Sequence, residues 1–298
     1  SEMCIRDRSM GFRTLVITKR AKLNLTMGFL EIRGEETLKV FLDDVDILVI
    51  DNQAVSMTAA LVTELIKKKI KIIFCDDKRN PQSEIIPYYG SGDCSRKIKT
   101  QIAWQDDIKT KVWTSIVREK IIKQSDFLLE LEKEREYKLL QQYIDDLSYG
   151  DNTNREGVAA KVYFNALFGM DFNRKEDIPR NAALNYGYSL LLSIFNKEII
   201  YNGYMTQLGL FHDNKFNPFN LASDLMEPYR ILVDRIVYGS NWEQFDANDK
   251  RKMLSLLEQE ITISGNKQVL TNAIRIYVRS VFDALCDRNV EEILYYSI

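Results

Sequence analysis

Histidine occurs once in these 298 residues, cysteine four times and proline five times. Each shortage removes a class of function. Cys4, Cys75, Cys94 and Cys286 are scattered without C-x-x-C spacing, which excludes a cysteine zinc site and a disulfide framework and fits a reducing cytoplasm. Long apolar runs are missing too: Leu190–Phe195, with a serine inside, falls far short of the roughly 20 residues that cross a bilayer. No membrane partner is expected. The opening SEMCIRDRS has mixed charge and no apolar h-region, so it is not a signal peptide. Residues 1–9 read as a non-native leader ahead of a natural start at Met10. There is no internal repeat and no low-complexity tract.

What is present is an ordinary globular composition, 45% hydrophobic, long enough for two domains and a substantial core. Charge nearly cancels, 41 basic against 43 acidic side chains, which argues against a generic nucleic-acid coat. Its distribution is more informative than its sum. Basic residues gather at Lys67, Lys68, Lys69 and Lys71, at Lys78 and Arg79, and at Arg96, Lys97, Lys99, Lys109 and Lys111. Any one cluster reads as a solvated face; several in one half of the chain suit a phosphate-facing surface.

Two textures follow one another. From Arg13 to Tyr89, short runs rich in Val, Ile, Leu and Thr alternate with turn-formers, the pattern of closely spaced strands. Ser56–Lys69 interrupts them with apolar residues at helical spacing behind Ser56 as a cap. GSGDCS, Gly90–Ser95, is the boundary signal, and beyond it apolar stripes at three and four run almost to the end. The expected fold class is α+β: an N-terminal β domain with one helix over residues 10–90, and a larger all-α domain over 91–298.

Three stretches of the helical half carry polar residues that packing does not demand. In TNREGVAAKVYFNALFG, Thr153 and Glu156 have capping-box spacing, so Glu156 reads either as a cap or as a functional carboxylate. Gly157 beside it leaves room for a close neighbour, be it chain, metal or phosphate. In GLFHDNKFNPFNLASDLMEPYR, the lone His212 lies in an asparagine-rich loop, with Ser223 as a cap and Asp224 and Glu227 at i and i+3 behind it. Those acids either complement a helix dipole or join His212 and Glu156 around a hard divalent cation, for which carboxylates plus one imidazole suit Mg²⁺ or Mn²⁺. In NAALNYGYSLLLSIF, Gly187 between Tyr186 and Tyr188 signals a close approach of backbones.

Together MGFRTLVITKRAKL, IIFCDDKRNP, NREGVAAKVYFNALFG, LNYGYSLLLSIF and FNLASDLMEPYR resemble the integrase/endonuclease family of CRISPR spacer acquisition, most closely its type II form. The similarity runs from Met10 onward. It implies an N-terminal dimerisation domain and a helical catalytic domain whose ligands fall, motif by motif, on Glu156, His212 and Glu227; the last is aspartate in many members. It implies Mg²⁺ or Mn²⁺ as cofactor and a homodimer, two of which flank a small ferredoxin-like companion dimer. Its substrates would be duplex DNA with 3′ overhangs and CRISPR repeat DNA, with the RNA-guided effector nuclease and a DNA-end-binding ring protein as further partners. Asp224 is expected to orient a ligand or a metal-bound water. Lys78, Arg79, Arg96, Lys97, Lys99 and Arg230 are the candidate DNA contacts. Two other readings stand beside this one: a general metal-dependent nuclease on branched or single-stranded DNA, and a non-catalytic scaffold in which Glu156 caps and His212 packs.

Overall fold

The computed structural model describes residues 13–298; the leader and the start at Met10 lie outside them. They form two compact units, residues 13–90 with 257–259, and residues 91–256 with 260–298.

The first unit is built on two four-stranded sheets. In one, β1 (Arg13–Ile17), β5 (Val45–Ile50) and β7 (Lys71–Cys75) run parallel, and β8 (Pro81–Glu84) is added antiparallel to β7. Every residue of β5 is buried, as expected of a central parallel strand covered on both faces. In the other, β2 (Ala21–Thr26), β3 (Phe29–Arg33) and β4 (Thr37–Phe41) form an antiparallel meander, and β6 (Val55–Met57) pairs parallel to β2. The β2–β3 turn takes positive φ at Met27 and Gly28, the twist that suits a two-residue hairpin. The expected helix is present as α1 (Ala59–Lys67), which puts Leu61 and Leu65 into the core. Its cap is Thr58, whose side chain accepts from the Leu61 N–H, while Ser56 lies in β6. Thr58 is preferred because the chain must finish pairing with β2 before it can turn.

The second unit is helical: α2 (Cys94–Ile102), α3 (Asp106–Glu130), α4 (Glu134–Asp145), α5 (Arg155–Phe168), α6 (Pro179–Tyr201), α7 (Asn220–Leu225), α8 (Arg230–Tyr238), α9 (Ala247–Met253) and α10 (Leu270–Asp287). Proline at the first turn of α6 sits where its missing N–H costs nothing. Along α6, Leu184, Leu190, Leu191, Ile194 and Phe195 are all buried, the signature of a helix surrounded by others. A Cβ at Gly187 would collide with Val233 of α8 and Met253 of α9, so this glycine sets how closely those helices approach.

The unit also carries a small sheet that the helical reading passed over, β9 (Glu260–Ile263), β10 (Asn266–Val269) and the C-terminal β11 (Tyr296–Ser297). Ser264 and Gly265 both take positive φ, so ITISGNKQV was a legible hairpin signal. Its strands are four residues long, too short to outweigh flanking helical stripes. No helix among the described residues is long and apolar enough to cross a membrane.

Candidate active site

The site is assembled on the longest helix. α3 buries Val112, Trp113, Ile116, Val117, Ile121 and Leu128 at helical spacing, and on that same stripe it buries Lys120. An ammonium among apolar neighbours needs anionic partners, and two carboxylates supply them. The Lys120 Nζ donates to Glu156 Oε1 at 2.6 Å. It also stands 2.6 Å from Glu227 Oε2, an ion pair in the same buried place.

Glu156 is free to take part because the capping-box reading fails. The α5 N-cap is Asn154, in the left-handed region, and no cap side chain bonds the helix start. Asp151 does that work instead: its carboxylate accepts from the N–H of Arg155 at 2.6 Å and of Glu156 at 3.0 Å. The left-handed turns at Gly150 and Asp151 bring it there. The space over Gly157 is taken by the Asn154 carboxamide, 2.7 Å from where a Cβ would sit, so Gly157 makes room for its own cap.

Glu227 opens a tight turn, Glu227–Tyr229, after α7 has ended at Leu225. Asp224 and Glu227 therefore lie in different elements, and Ser223 lies inside α7 instead of capping it; the helix starts earlier because Leu221 N–H bonds Thr206 O at 2.8 Å. Tyr296 at the C-terminus donates to Pro228 O at 2.9 Å, and Tyr229 packs on the rings of Phe195, Tyr277 and Tyr296. A buried aromatic cluster thus fixes the turn that aims Glu227.

His212 is positioned by Asp224, which is fully buried. The Asp224 carboxylate accepts from the backbone N–H of Leu210, Phe211 and His212 at 2.6, 3.1 and 3.2 Å, and from His212 Nδ1 at 2.5 Å. A carboxylate only accepts, so the proton is on Nδ1, and Nε2 is the nitrogen with a free lone pair. A Cβ at Gly209 would collide with His212 O and come within 2.8 Å of Asp224 Oδ2. The asparagines are loop scaffolding: Asn220 donates to Gln207 O and Asn214 O, both at 3.1 Å, and Asn214 and Asn217 each accept from an N–H two residues on. The ring of His212 lies edge-on to Trp113, which itself stacks on Phe211 with centroids 4.6 Å apart.

Electrostatically the cluster is balanced. Burial opposes ionisation of Glu227, but Arg230 and Lys120 outweigh it and hold its carboxyl well below the usual range. Burial likewise works against the charges on Lys120 and Arg230, and the carboxylates beside them keep both cations firmly protonated. Two anions therefore face two cations. The hydrogen bond to Asp224 raises the His212 pKa above 6.5 against the effect of burial, and the charges of Asp224, Glu227 and Glu156 push the same way. Beneath Arg230, whose guanidinium lies 4.7 Å from the centre of the Tyr188 ring, burial lifts the Asp234 carboxyl to about 6 although Tyr188 and Tyr163 both donate to it.

The structure thus brings Glu156, Glu227 and Arg230 together about Lys120 and ties His212 to Asp224. Lys120 and Asp151 were missed by sequence reading. A lysine on an otherwise apolar helical stripe was the signal for the first; the second had none, since its turn is not visible in residue order. Of the basic candidates, Arg79 pairs with Asp51 at 3.0 Å, Arg96 pairs with Asp93, Lys97 lies over the Tyr204 ring, and Lys78 and Lys99 are exposed. Arg230 pairs with Glu227 at 3.0 Å.

Residues 15–273 match the family described as CRISPR associated protein Cas1. Over 290 residues the chain is 31% identical to a CRISPR-associated endonuclease Cas1 of Neisseria meningitidis serogroup C (strain 8013), covering 95% of each. It is 25% identical over 283 residues to one from Francisella tularensis subsp. novicida (strain U112), covering 87% of this chain and 88% of that one. In fold it is similar to a casposase bound to integration product, with TM-score 0.73 and 19% identity over 94% of this chain and 91% of that one. A Cas1 protein from Thermotoga maritima also gives TM-score 0.73, at 17% identity over 92% of this chain and 97% of that one. A Cas6-RT-Cas1–Cas2 complex gives 0.72, at 16% identity over 96% of this chain and 36% of that one.

Proposed function

The chain belongs to the CRISPR-associated Cas1 family, and from that premise we propose that it is a metal-dependent DNA integrase and endonuclease of spacer acquisition. It joins the 3′ ends of short foreign DNA fragments to the repeat of a CRISPR array. The observation that carries the reading is the convergence of Glu156 and Glu227 on one buried cation, beside a histidine whose neutral tautomer, with its lone pair on Nε2, is set by Asp224.

The residues fit a divalent ion. Glu156 and Glu227 turn their carboxylates to one place, where a cation already sits, and two carboxylates with one imidazole are donors for Mg²⁺ or Mn²⁺. Among the described residues no three of His, Cys, Asp and Glu already stand as a metal cluster, and the Lys120 ammonium lies between the two carboxylates. Glu156, Glu227 and His212 Nε2 would hold the ion, which supplies a lowered pKa for an attacking hydroxyl or water and offsets charge on the phosphodiester. The chain's own residues do the rest. Asp224 fixes the imidazole and its tautomer, Arg230 keeps Glu227 ionised, and Asp151 holds the first turn of α5 so that Glu156 faces α3. Phosphoryl transfer needs mainly positioning and charge, so few side chains suffice. A 3′-hydroxyl as nucleophile gives integration, and water gives cleavage.

A joining assay on repeat-containing duplex, run with a Cas2-type companion, tests the reading. Joining at repeat borders in Mg²⁺ or Mn²⁺ is expected; cleavage without preference for the repeat would turn it toward the general nuclease. The N-terminal unit is the proposed dimerisation surface, to be read by light scattering. Lys78, Arg79, Arg96, Lys97 and Lys99 are the proposed phosphate contacts, to be read from the fall of affinity with salt, about −0.9 in log–log slope per phosphate neutralised.

Because the histidine is single, its ring signals in NMR need no assignment. A protonated Nε2 cannot ligate, so metal affinity should fall as pH drops through a midpoint above 6.5, the direction in which Asp224 moves this group. The midpoint should shift lower as Mg²⁺ is raised. Stability of the metal-free protein runs the other way: a raised folded pKa contributes stability that is full below the unfolded value of about 6.5 and lost as pH rises through the folded one. Identical titration of the ring with and without saturating Mg²⁺ would remove His212 from the ligand set.

A further inference from the structure

We propose that Lys120 is a resident counter-cation of the carboxylate site, holding Glu156 and Glu227 together before a divalent ion arrives and then turning to a DNA phosphate, which couples metal binding to DNA binding. The inference rests on Glu156 and Glu227 being the ligands.

Three observations lead to it. The ammonium is the group on which both carboxylates converge, 2.6 Å from each. It is therefore where a metal held by the same two side chains would suffer the strongest like-charge repulsion. Next, the carboxylates of Glu156 and Glu227 are already matched by Lys120 and Arg230, so a dication adds charge that an incoming anion can offset. Finally, the two cations are not equivalent. Arg230 is held by Glu227 on one side and by the Tyr188 ring on the other. Lys120 is a point charge on a flexible four-carbon stem whose partners are the two carboxylates themselves. The anion that the proposed reaction brings to this point is a phosphodiester, so the displaced ammonium has a partner only when DNA is bound. Metal affinity should accordingly be weak in the free protein and rise with DNA.

The test is Mn²⁺ affinity, read by electron paramagnetic resonance as loss of the free-ion signal. It uses the full chain with and without a short duplex bearing 3′ overhangs, for wild type, Lys120→Met, Lys120→Arg and Glu156→Gln. Without DNA, Lys120→Met should bind Mn²⁺ at least about tenfold tighter than wild type, since one close like charge is gone, and should lose most of the tightening that DNA confers. Lys120→Arg, keeping the charge, should stay near wild type. Equal Mn²⁺ affinity in wild type and Lys120→Met, with binding lost in Glu156→Gln, overturns the role of Lys120 alone; unchanged binding in Glu156→Gln overturns the ligand assignment itself. If metal-free Lys120→Met is unfolded by its unpaired buried carboxylates, melting with added Mn²⁺ decides: a larger metal-induced rise than in wild type supports the inference, and an equal or smaller one overturns it.

Discussion

Replacing Glu156 or His212 by alanine is expected to reduce 3′-end joining by at least about a thousandfold, because metal catalysis contributes several kcal/mol and each 1.36 kcal/mol is a factor of ten. Glu227→Ala should be as inactive, but for two reasons at once. Glu227 neutralises Arg230 and shares Lys120 with Glu156, and removing one partner from a buried ion cluster costs about 3–5 kcal/mol. The three variants should separate in thermal melts: His212→Ala close to wild type, Glu156→Ala lower because the buried Lys120 loses a carboxylate, and Glu227→Ala lowest. His212, whose side chain is partly exposed, is therefore the cleanest probe of chemistry. Near-wild-type joining by any of the three, measured under single turnover in Mg²⁺ or Mn²⁺, would strike that residue from the ligand set.

Asp224→Asn should lower joining about 10–100-fold, the usual loss when the partner of a metal-bound histidine is removed. The side chain keeps its shape, but the amide nitrogen now faces N–H groups that had an acceptor. Asp224 accepts four hydrogen bonds, three from backbone and one from Nδ1. At least two donors lose a partner beside a fully buried side chain, at about 1–3 kcal/mol each. Destabilisation should therefore accompany the loss, and the Nδ1 resonance of His212 should move, since its tautomer is no longer dictated. Activity abolished outright in a folded protein would make Asp224 a ligand itself; an unmoved His212 spectrum would deny it the orienting role.

Much of the architecture was legible because it rests on local patterns. Alternating apolar residues with turn-formers over residues 13–89 do give strands, and stripes at three and four do give the helices α3, α5, α6 and α10. Short-range rules failed where two of them competed. Ser56 and Thr58 are both caps in principle, and pairing of β6 with β2 chose Thr58. Thr153 with Glu156 and Ser223 with Asp224 looked like helix starts, and each lost to a bond from outside the motif: Asp151 to the first turn of α5, Thr206 to the first turn of α7.

The sequence by itself determined which groups could do chemistry: one imidazole in an irregular loop, and three acids in two helical motifs whose residue types suit a hard cation. Only the tertiary structure decided how they share the work. The lysine on α3 and the carboxylate in the turn after α7 lie 36 and 71 residues along the chain from Glu156 on α5, so no periodicity within one segment can report that they meet. They meet because burial leaves each charge no stable alternative to an opposite one, and that requirement acts only once the helices have packed and the water has gone.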